Sequence, residues 1–587
     1  MTNRVLNLLV CSSTFFVLLI CLLGCQQKIT ESIVPKNVVP KPKSLDTQFL
    51  YTNGCILTMA GHQAEYVEAL VTDHESIVYT GQIREATRKY PKATLVNLKG
   101  KALLPGFIDP YRHFTNAHTT LHQANVGSPP VGTVTDINSL LNELKTHQKN
   151  KVDNEDKWIL AWGYDQSELT EARHITKDEL DEVFPDHKIV LIHVSGHGAV
   201  LNSKALEWAG IDESTETPVG GVIGRMENSD DLSGLLMETS WLAIQKNLPN
   251  LTKEDKLAAI PKIMKLYASE GYTSIQDAAC FLEELDILKI RSNQERLLLD
   301  IAVLPLFIEG EQWLNNPEYT FGNYSNGLKL QGVKLIQDGS PQGKTAFMTK
   351  DYLTGGLSGE AIWTGDRMFA YQQFESFVKH YAGNGIQLFI HANGDAAIDD
   401  VIKAVRNTGI TAADDRRTVV IHSQFQRPDH LDDYVALGLS PSYFTNHCFF
   451  WGDEHVKNQG IERASHISPL ESASNKGIVY SNHSDYIVTP LDPFFILWTA
   501  TNRISRSGIV LGEDQRVSMF RALQGLTTGP AWQLFEEDKK GKLKPGFVAD
   551  MIIVDKDPIT LQNDEIKDCK IIQTIKRGKV VYENKDE

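Results

Sequence analysis

Leu388-Phe389-Ile390-His391-Ala392-Asn393-Gly394-Asp395 decides the fold. Three apolar residues read as a short strand that stops at a histidine. A glycine then leads into Ile398, Val401, Ile402 and Val405, spaced as one face of a helix. A strand that ends on a metal-type ligand and turns into a helix is one unit of a parallel β/α array. Val-Lys-Leu-Ile-Gln-Asp-Gly-Ser around Lys334, Val-Val-Ile-His-Ser-Gln around His422 and Val-Tyr-Ser-Asn-His-Ser-Asp around Asp485 repeat the arrangement. Leu-Leu-Pro-Gly-Phe-Ile-Asp-Pro-Tyr-Arg-His-Phe, ending near His113, precedes them all. Taken singly, such a histidine is a hydrogen-bonded core residue, such a lysine a buried ion-pair partner and such an aspartate a helix cap. In the order His, Lys, His, His, Asp they suit a hydrolytic metal centre at the mouth of a (β/α)8 barrel, where chemistry sits at the carboxyl ends of the strands. The fold class expected is therefore α/β, a TIM-like barrel.

Outward from that core, Met368–Tyr381 and Asp136–Leu144 carry helical spacing, and Lys188–His193 reads as a strand. Both chain ends are β-rich. Phe49–Thr52 and Cys55–Met59 flank Asn53-Gly54, which predicts a hairpin. Ala69–Thr72, Ile77–Tyr79 and Thr94–Leu98 follow, and Ala549–Val554, Ile571–Lys576 and Lys579–Tyr582 close the chain, the last two joined by Arg577-Gly578. Each end alone is small for a stable core. The two are expected to pack as one composite β-sandwich, 47–106 with 540–587, around a barrel spanning 107–539 with insertions.

The 587 residues carry a net charge of −16, 42% hydrophobic and 22% charged residues. This is globular composition, and the charge argues against a nucleic-acid partner, whose phosphates need Lys and Arg. Seven cysteines without a C-x-x-C pair give neither a disulfide framework nor a zinc finger. Arg4 followed by the apolar stretch Val5–Leu23 and Leu22-Leu23-Gly24-Cys25 reads as a secretory signal over 1–24. It resembles the bacterial lipobox, which makes Cys25 the lipidated residue and 25–46, with Pro35, Pro40 and Pro42, an extended tether. An uncleaved membrane anchor is the other reading of the same run. Gln26 after Cys25 resembles the outer-membrane sorting pattern, so the expected location is the bacterial envelope, lipid-anchored and facing the periplasm.

The chain resembles the amidohydrolase superfamily, in its YtcJ-like branch (amidohydrolase family 3). The resemblance rests on Leu104–Asp109, Trp162–Asp165, Ser195–His197, Gly220–Gly224, Asp338–Ser340, His391–Asp395, Trp451–Asp453, Asp485–Pro490 and Leu543–Asp550. It implies hydrolysis of non-peptide C–N bonds by metal-activated water, with zinc or a similar divalent ion, one or two per chain. By position it implies His113, Lys334 as a bridging carbamate, His391, His422 and Asp485 as ligands, with Asp485 also shuttling the proton. The substrate implied is a small amide, N-acyl, N-formyl or cyclic amide. An esterase or lactonase on the same scaffold, or a ligand-binding surface lipoprotein without turnover, is the alternative. His197, His447 and Trp451 are candidate substrate contacts, and each has an equally plain structural reading. The departure is Tyr111-Arg112-His113, where the family writes His-x-His. Phenol is a poor ligand at an ordinary pKa of ~10, and an inward Arg112 would repel a cation. Tyr111 is therefore expected to be a weak ligand or a substrate contact. The oligomeric state is not legible.

Overall fold

Eight segments, most of them apolar, form eight successive parallel strands in the computed structural model, which describes residues 47–585 apart from 116, 118–121, 151–156, 219, 250 and 358. In chain order they are β1 (Phe107–Arg112), β2 (Tyr272–Cys280), β3 (Asp300–Pro305), β4 (Leu328–Leu330 continued by Gly332–Ile336), β5 (Gln387–Ala392), β6 (Val419–His422), β7 (Ser440–Tyr443) and β8 (Ser481–Asn482). Each pairs in parallel with the next, and β3 meets the second half of β4 through a Leu306–Lys334 bridge. The ring returns on itself where the His113 amide, just past β1, donates to the Tyr486 carbonyl beyond β8 at 3.3 Å. The signal, the tether and Cys25 lie outside the described residues.

Parallel neighbours need crossovers, and these are amphipathic helices. Asp395–Arg406 buries Ile398, Val401, Ile402 and Val405 against the strands, the stripe expected from the sequence. The helix expected over Met368–Tyr381 begins only at Tyr371. The Met368 amide donates to the Gln337 carbonyl at 2.6 Å and Ala370 is extended, so the chain enters the helix only after Ala370. The barrel interior is filled, with Ile108, Tyr111, Leu304, Phe389, Val419 and Ile421 in one cluster. Tyr111 is thus a member of the apolar plug at the level where the ligand-type residues begin.

The two chain ends meet in one sheet. Met551–Val554 pairs antiparallel with Ala102–Pro105, and Ala102–Pro105 with Gln48–Leu57. A Ser76–Val548 bridge folds the far edge back toward the same strands, around a core that includes Ile56, Leu70, Leu103, Met551 and Ile575. Lys576 ties this sheet to the base of the barrel, donating to Asp300 on β3 and to Asp550 at 2.6 Å each.

One expectation fails here. Asn53-Gly54 is not a hairpin turn but an irregularity inside a single strand, Gln48–Leu57. A two-residue type I′ turn needs positive φ at both residues, and only Asn53 has it, at 60°. The kink lets the first half of the strand pair with Thr94–Asn97 and the second half with Ala102–Pro105. A side chain at residue 54 would stand 2.3 Å from the Lys101 carbonyl, so glycine is required by that close approach. Arg577-Gly578, with φ of 50° and 72°, does make the hairpin expected of it.

Between β1 and β2 the chain builds a separate lobe. Its six-stranded sheet includes Trp158–Tyr164 and Lys188–His193, parallel to one another, and the antiparallel strands Gly198–Leu201, Gly221–Arg225 and Leu232–Glu238. The helix Ile137–Asn150 covers one face with buried Leu140 and Leu144. This is the largest insertion into the barrel, and its last strand ends at Glu238, beside the candidate site. Among the described residues no helix is long and apolar enough to cross a membrane.

Candidate metal centre

Strand ends put the ligand-type residues together. Lys334 lies on β4, His391 on β5 and His422 closes β6, while His113 and Asp485 follow β1 and β8 directly. His422 Nε2 is 3.1 Å from His391 Nδ1 and 3.9 Å from Asp485 Oδ2. His113 Nε2 is 3.5 Å from Asp485 Oδ1, and its Nδ1 is 3.0 Å from the Ala278 carbonyl. His422 and Asp485 hold left-handed backbones, with φ of 67° and 51°, as does Glu238 at 52°. Such conformations are costly for residues with a side chain and collect where geometry is over-determined.

Burial sets the charge states. It pushes the Lys334 ammonium down to about 7, against the pull of Asp485 and Asp338. It raises the Asp485 carboxyl to about 7, against Lys334. Burial first, then the nearby Lys334, lowers His113 to about 4. The same two causes hold His391 well below the ordinary imidazole value. His422 is lowered by burial and then by His391 and His483. The imidazoles therefore stay neutral, the form in which a histidine ligates.

Tyr111 is in the site. Lys334 Nζ donates to its hydroxyl at 2.8 Å and lies 4.3 Å from its ring centroid. The ring meets His113 at 5.5 Å and His422 at 5.4 Å, centroid to centroid. Burial and the Asp485 charge drive the phenol well above its usual value, so it remains protonated. Arg112 does not turn inward. Strand alternation sends it away from Tyr111 and His113, to an ion pair with Asp109 and a hydrogen bond to the Tyr272 hydroxyl.

His197 comes in from the lobe. Its Nδ1 is 3.0 Å from Glu238 Oε2 and its ring is 5.4 Å from that of His391. Burial works against its charged form, but Glu238 overcomes this and raises the imidazole. His447 and Trp451 stand behind Phe444, which packs on His422 at 6.0 Å. His447 bonds His455 at 3.0 Å, and the Trp451 indole donates to Asp165 of the lobe at 2.6 Å. These two lie one layer behind the ligand-type residues, and the Trp451 contact joins barrel to lobe.

His483 was missed by sequence reasoning. It is fully buried, its ring 5.1 Å from Tyr111 and 5.1 Å from His422. Its signal is present in Asn482-His483-Ser484-Asp485, two residues before a carboxylate, but no apolar run leads directly into it. His422, His483 and Asp485 each offer a ligand atom within 4.8 Å of the others. Among the described residues His422 Nδ1, both His483 ring nitrogens and Asp485 Oδ1 are buried without a well-formed hydrogen bond. Neutral imidazoles and a carboxylate with unmade bonds are a donor set that fits a divalent ion.

Comparison with known proteins agrees with this architecture. A family model described as an amidohydrolase family matches residues 94–582. YtcJ of Bacillus subtilis (strain 168), assigned to the amidohydrolases by its name, is 23% identical over 554 residues, covering 91% of this chain and 99% of that protein. The N-substituted formamide deformylase of Arthrobacter pascens is 23% identical over 502 residues, covering 84% and 90%. An uncharacterized metal-dependent hydrolase from Pyrococcus horikoshii OT3 superposes with a TM-score of 0.69 at 24% identity, over 88% of this chain and 98% of the other, and so shares the fold.

Proposed function

The chain belongs to the amidohydrolase family, and on that premise we propose that it hydrolyses the C–N bond of a small amide, N-formyl, N-acyl or cyclic amide. The observation that carries the reading is the convergence of His391, His422, His113, Lys334 and Asp485 at the carboxyl ends of the strands. The similarity to a formamide deformylase favours the amide over the ester as substrate.

His391, His422 and Asp485 would hold a divalent ion, zinc by the chemistry of the donors, with His113 and Lys334 on the β1 side. A bound ion supplies Lewis acidity toward a carbonyl oxygen and toward water. Asp485 takes the proton of the attacking water and delivers it to the leaving nitrogen, and a carboxyl poised near 7 suits both halves of that transfer. Lys334, lowered to about 7, presents the free amine that combines with carbon dioxide, losing a proton to become a carbamate. His197, its charged form favoured by Glu238, is placed to orient the substrate beside His391.

The experiment is metal analysis of the protein after growth with zinc and labelled bicarbonate, followed by an amide and ester panel. Bound divalent metal, a labelled carbamate carbon and turnover of amides ahead of esters are expected. A protein that takes up no metal, or that binds it without turning over any amide, rejects the reading. Leu22-Leu23-Gly24-Cys25 supports lipid anchoring in the bacterial envelope, and Cys25→Ser should abolish lipid labelling.

A further inference from the structure

An ordinary buried histidine keeps its place by hydrogen bonds, because a buried polar atom left unpaired costs its full desolvation. His483 is held weakly in this way, with only the Ser442 backbone carbonyl beside its ring. Its side chain is wholly buried, and neither ring nitrogen makes a well-formed bond among the described residues. What it has instead is stacking on Phe444, at 4.7 Å and 29°, and the edge of the Tyr111 ring. Those contacts fix the plane of the imidazole, and with one nitrogen turned toward the Ser442 carbonyl the other is left for a ligand. His422 Nδ1 and Asp485 Oδ1 also lack a well-formed hydrogen bond among the described residues, and one ligand atom from each of the three residues falls within 4.8 Å of the others.

Three inward groups with unmet bonding capacity, two nitrogens and a carboxylate oxygen, are the set a three-ligand zinc site uses while keeping one position open. The β1 side is poorer. The Tyr111 hydroxyl is taken by Lys334 at 2.8 Å, which leaves that strand only His113 Nε2, 3.5 Å from Asp485 Oδ1. From this asymmetry we infer that His483 is a further metal ligand, joining His422 and Asp485 in holding the proposed ion of zinc type at the β6–β8 side of the barrel, next to His391. This deepens the hydrolytic reading and rests on its metal.

The test measures zinc affinity by competition with a chromophoric chelator, on the full chain, for wild type, His483→Phe and His483→Gln. Phenylalanine keeps the ring stacked on Phe444, and glutamine keeps a polar group; melting of the chelator-stripped proteins shows which variant has folded. The expected result is a zinc Kd raised on the order of 100-fold or more in whichever variant melts like stripped wild type. X-ray absorption of the zinc-loaded variant should show one imidazole fewer than wild type. Unchanged affinity and an unchanged imidazole count in a folded variant overturn the inference and leave the hydrolase reading standing. Wild type that binds no zinc overturns both.

Discussion

The two strands that close the barrel treat the site in opposite ways. After β1 the chain offers Tyr111 and His113, and after β8 it offers His483 and Asp485. Tyr111 keeps its proton and spends its hydroxyl on Lys334. His483 and Asp485 present buried atoms without a well-formed hydrogen bond among the described residues. The two regions touch, since the Tyr111 and His483 rings are 5.1 Å apart. The residue that departs from the expected His-x-His on one strand thus stands edge-on to a candidate ligand on the other. Ligand content at a barrel mouth is a property of the ring of strand ends, and no single strand decides it.

The sharpest way to break the comparison is to remove one group from each side. Asp485→Asn keeps the shape of the β8 end but cannot take a proton, and turnover should fall by roughly 10²–10⁴, the span of positioned acid–base catalysis. His113→Gln, on the β1 side, should cost clearly less. Steady-state kinetics of the two variants on one amide decide it. Equal losses would show that the β1 side carries as much of the chemistry as the β8 side.

A smaller effect separates the two sides by their protons. Ligation requires a deprotonated group. Burial raises the Asp485 carboxyl to about 7, so below that pH it must give up a proton to bind metal. Burial lowers the His113 imidazole to about 4, so at pH 6 it has none to give. Zinc affinity should therefore fall about tenfold per pH unit from Asp485 alone below pH 7. Calorimetry at pH 6 in buffers of different ionisation heat should show one proton fewer released in Asp485→Asn. The count should not change in His113→Gln, and a change there would place the titrating group on β1.

Much of this was legible in the sequence, and the limits have physical causes. Strand ends near His391 and His422 are visible because an apolar run followed by a polar residue is a local signal, whereas Lys334 sits in the middle of Gly332–Ile336. That the two ends pack together is expected from ends too small to stand alone, an argument about burial, but the pairing of Met551–Val554 with Ala102–Pro105 is not legible from it. Asn53-Gly54 misled because a turn dipeptide also serves a kink in one strand, and which of the two occurs depends on partners more than 40 residues away. His483 was passed over because its contacts with Tyr111, His422 and Phe444 exist only once the barrel closes. Trp451 was read for its aromatic surface, yet its indole N–H is held by Asp165 on a lobe that periodicity alone did not separate from the barrel.

The smallest expected effect concerns Tyr111 itself. Tyr111→Phe removes one hydroxyl and keeps the ring that packs against His113, His422 and His483. Its hydroxyl accepts one hydrogen bond, from Lys334. A single buried bond of that kind is worth ~0.5–1.5 kcal/mol net. If Tyr111 only positions Lys334, turnover should drop by no more than about tenfold, and zinc affinity should stay near wild type because the β8 ligands are untouched. Labelled bicarbonate should still mark Lys334, since its amine remains buried and lowered by that burial. A phenolate ligand would behave differently, because losing it would weaken metal binding by orders of magnitude while leaving the packing intact. Chelator competition on Tyr111→Phe tells these apart. A large loss of zinc affinity would return Tyr111 to the ligand set and would undo the contrast between the first strand and the last.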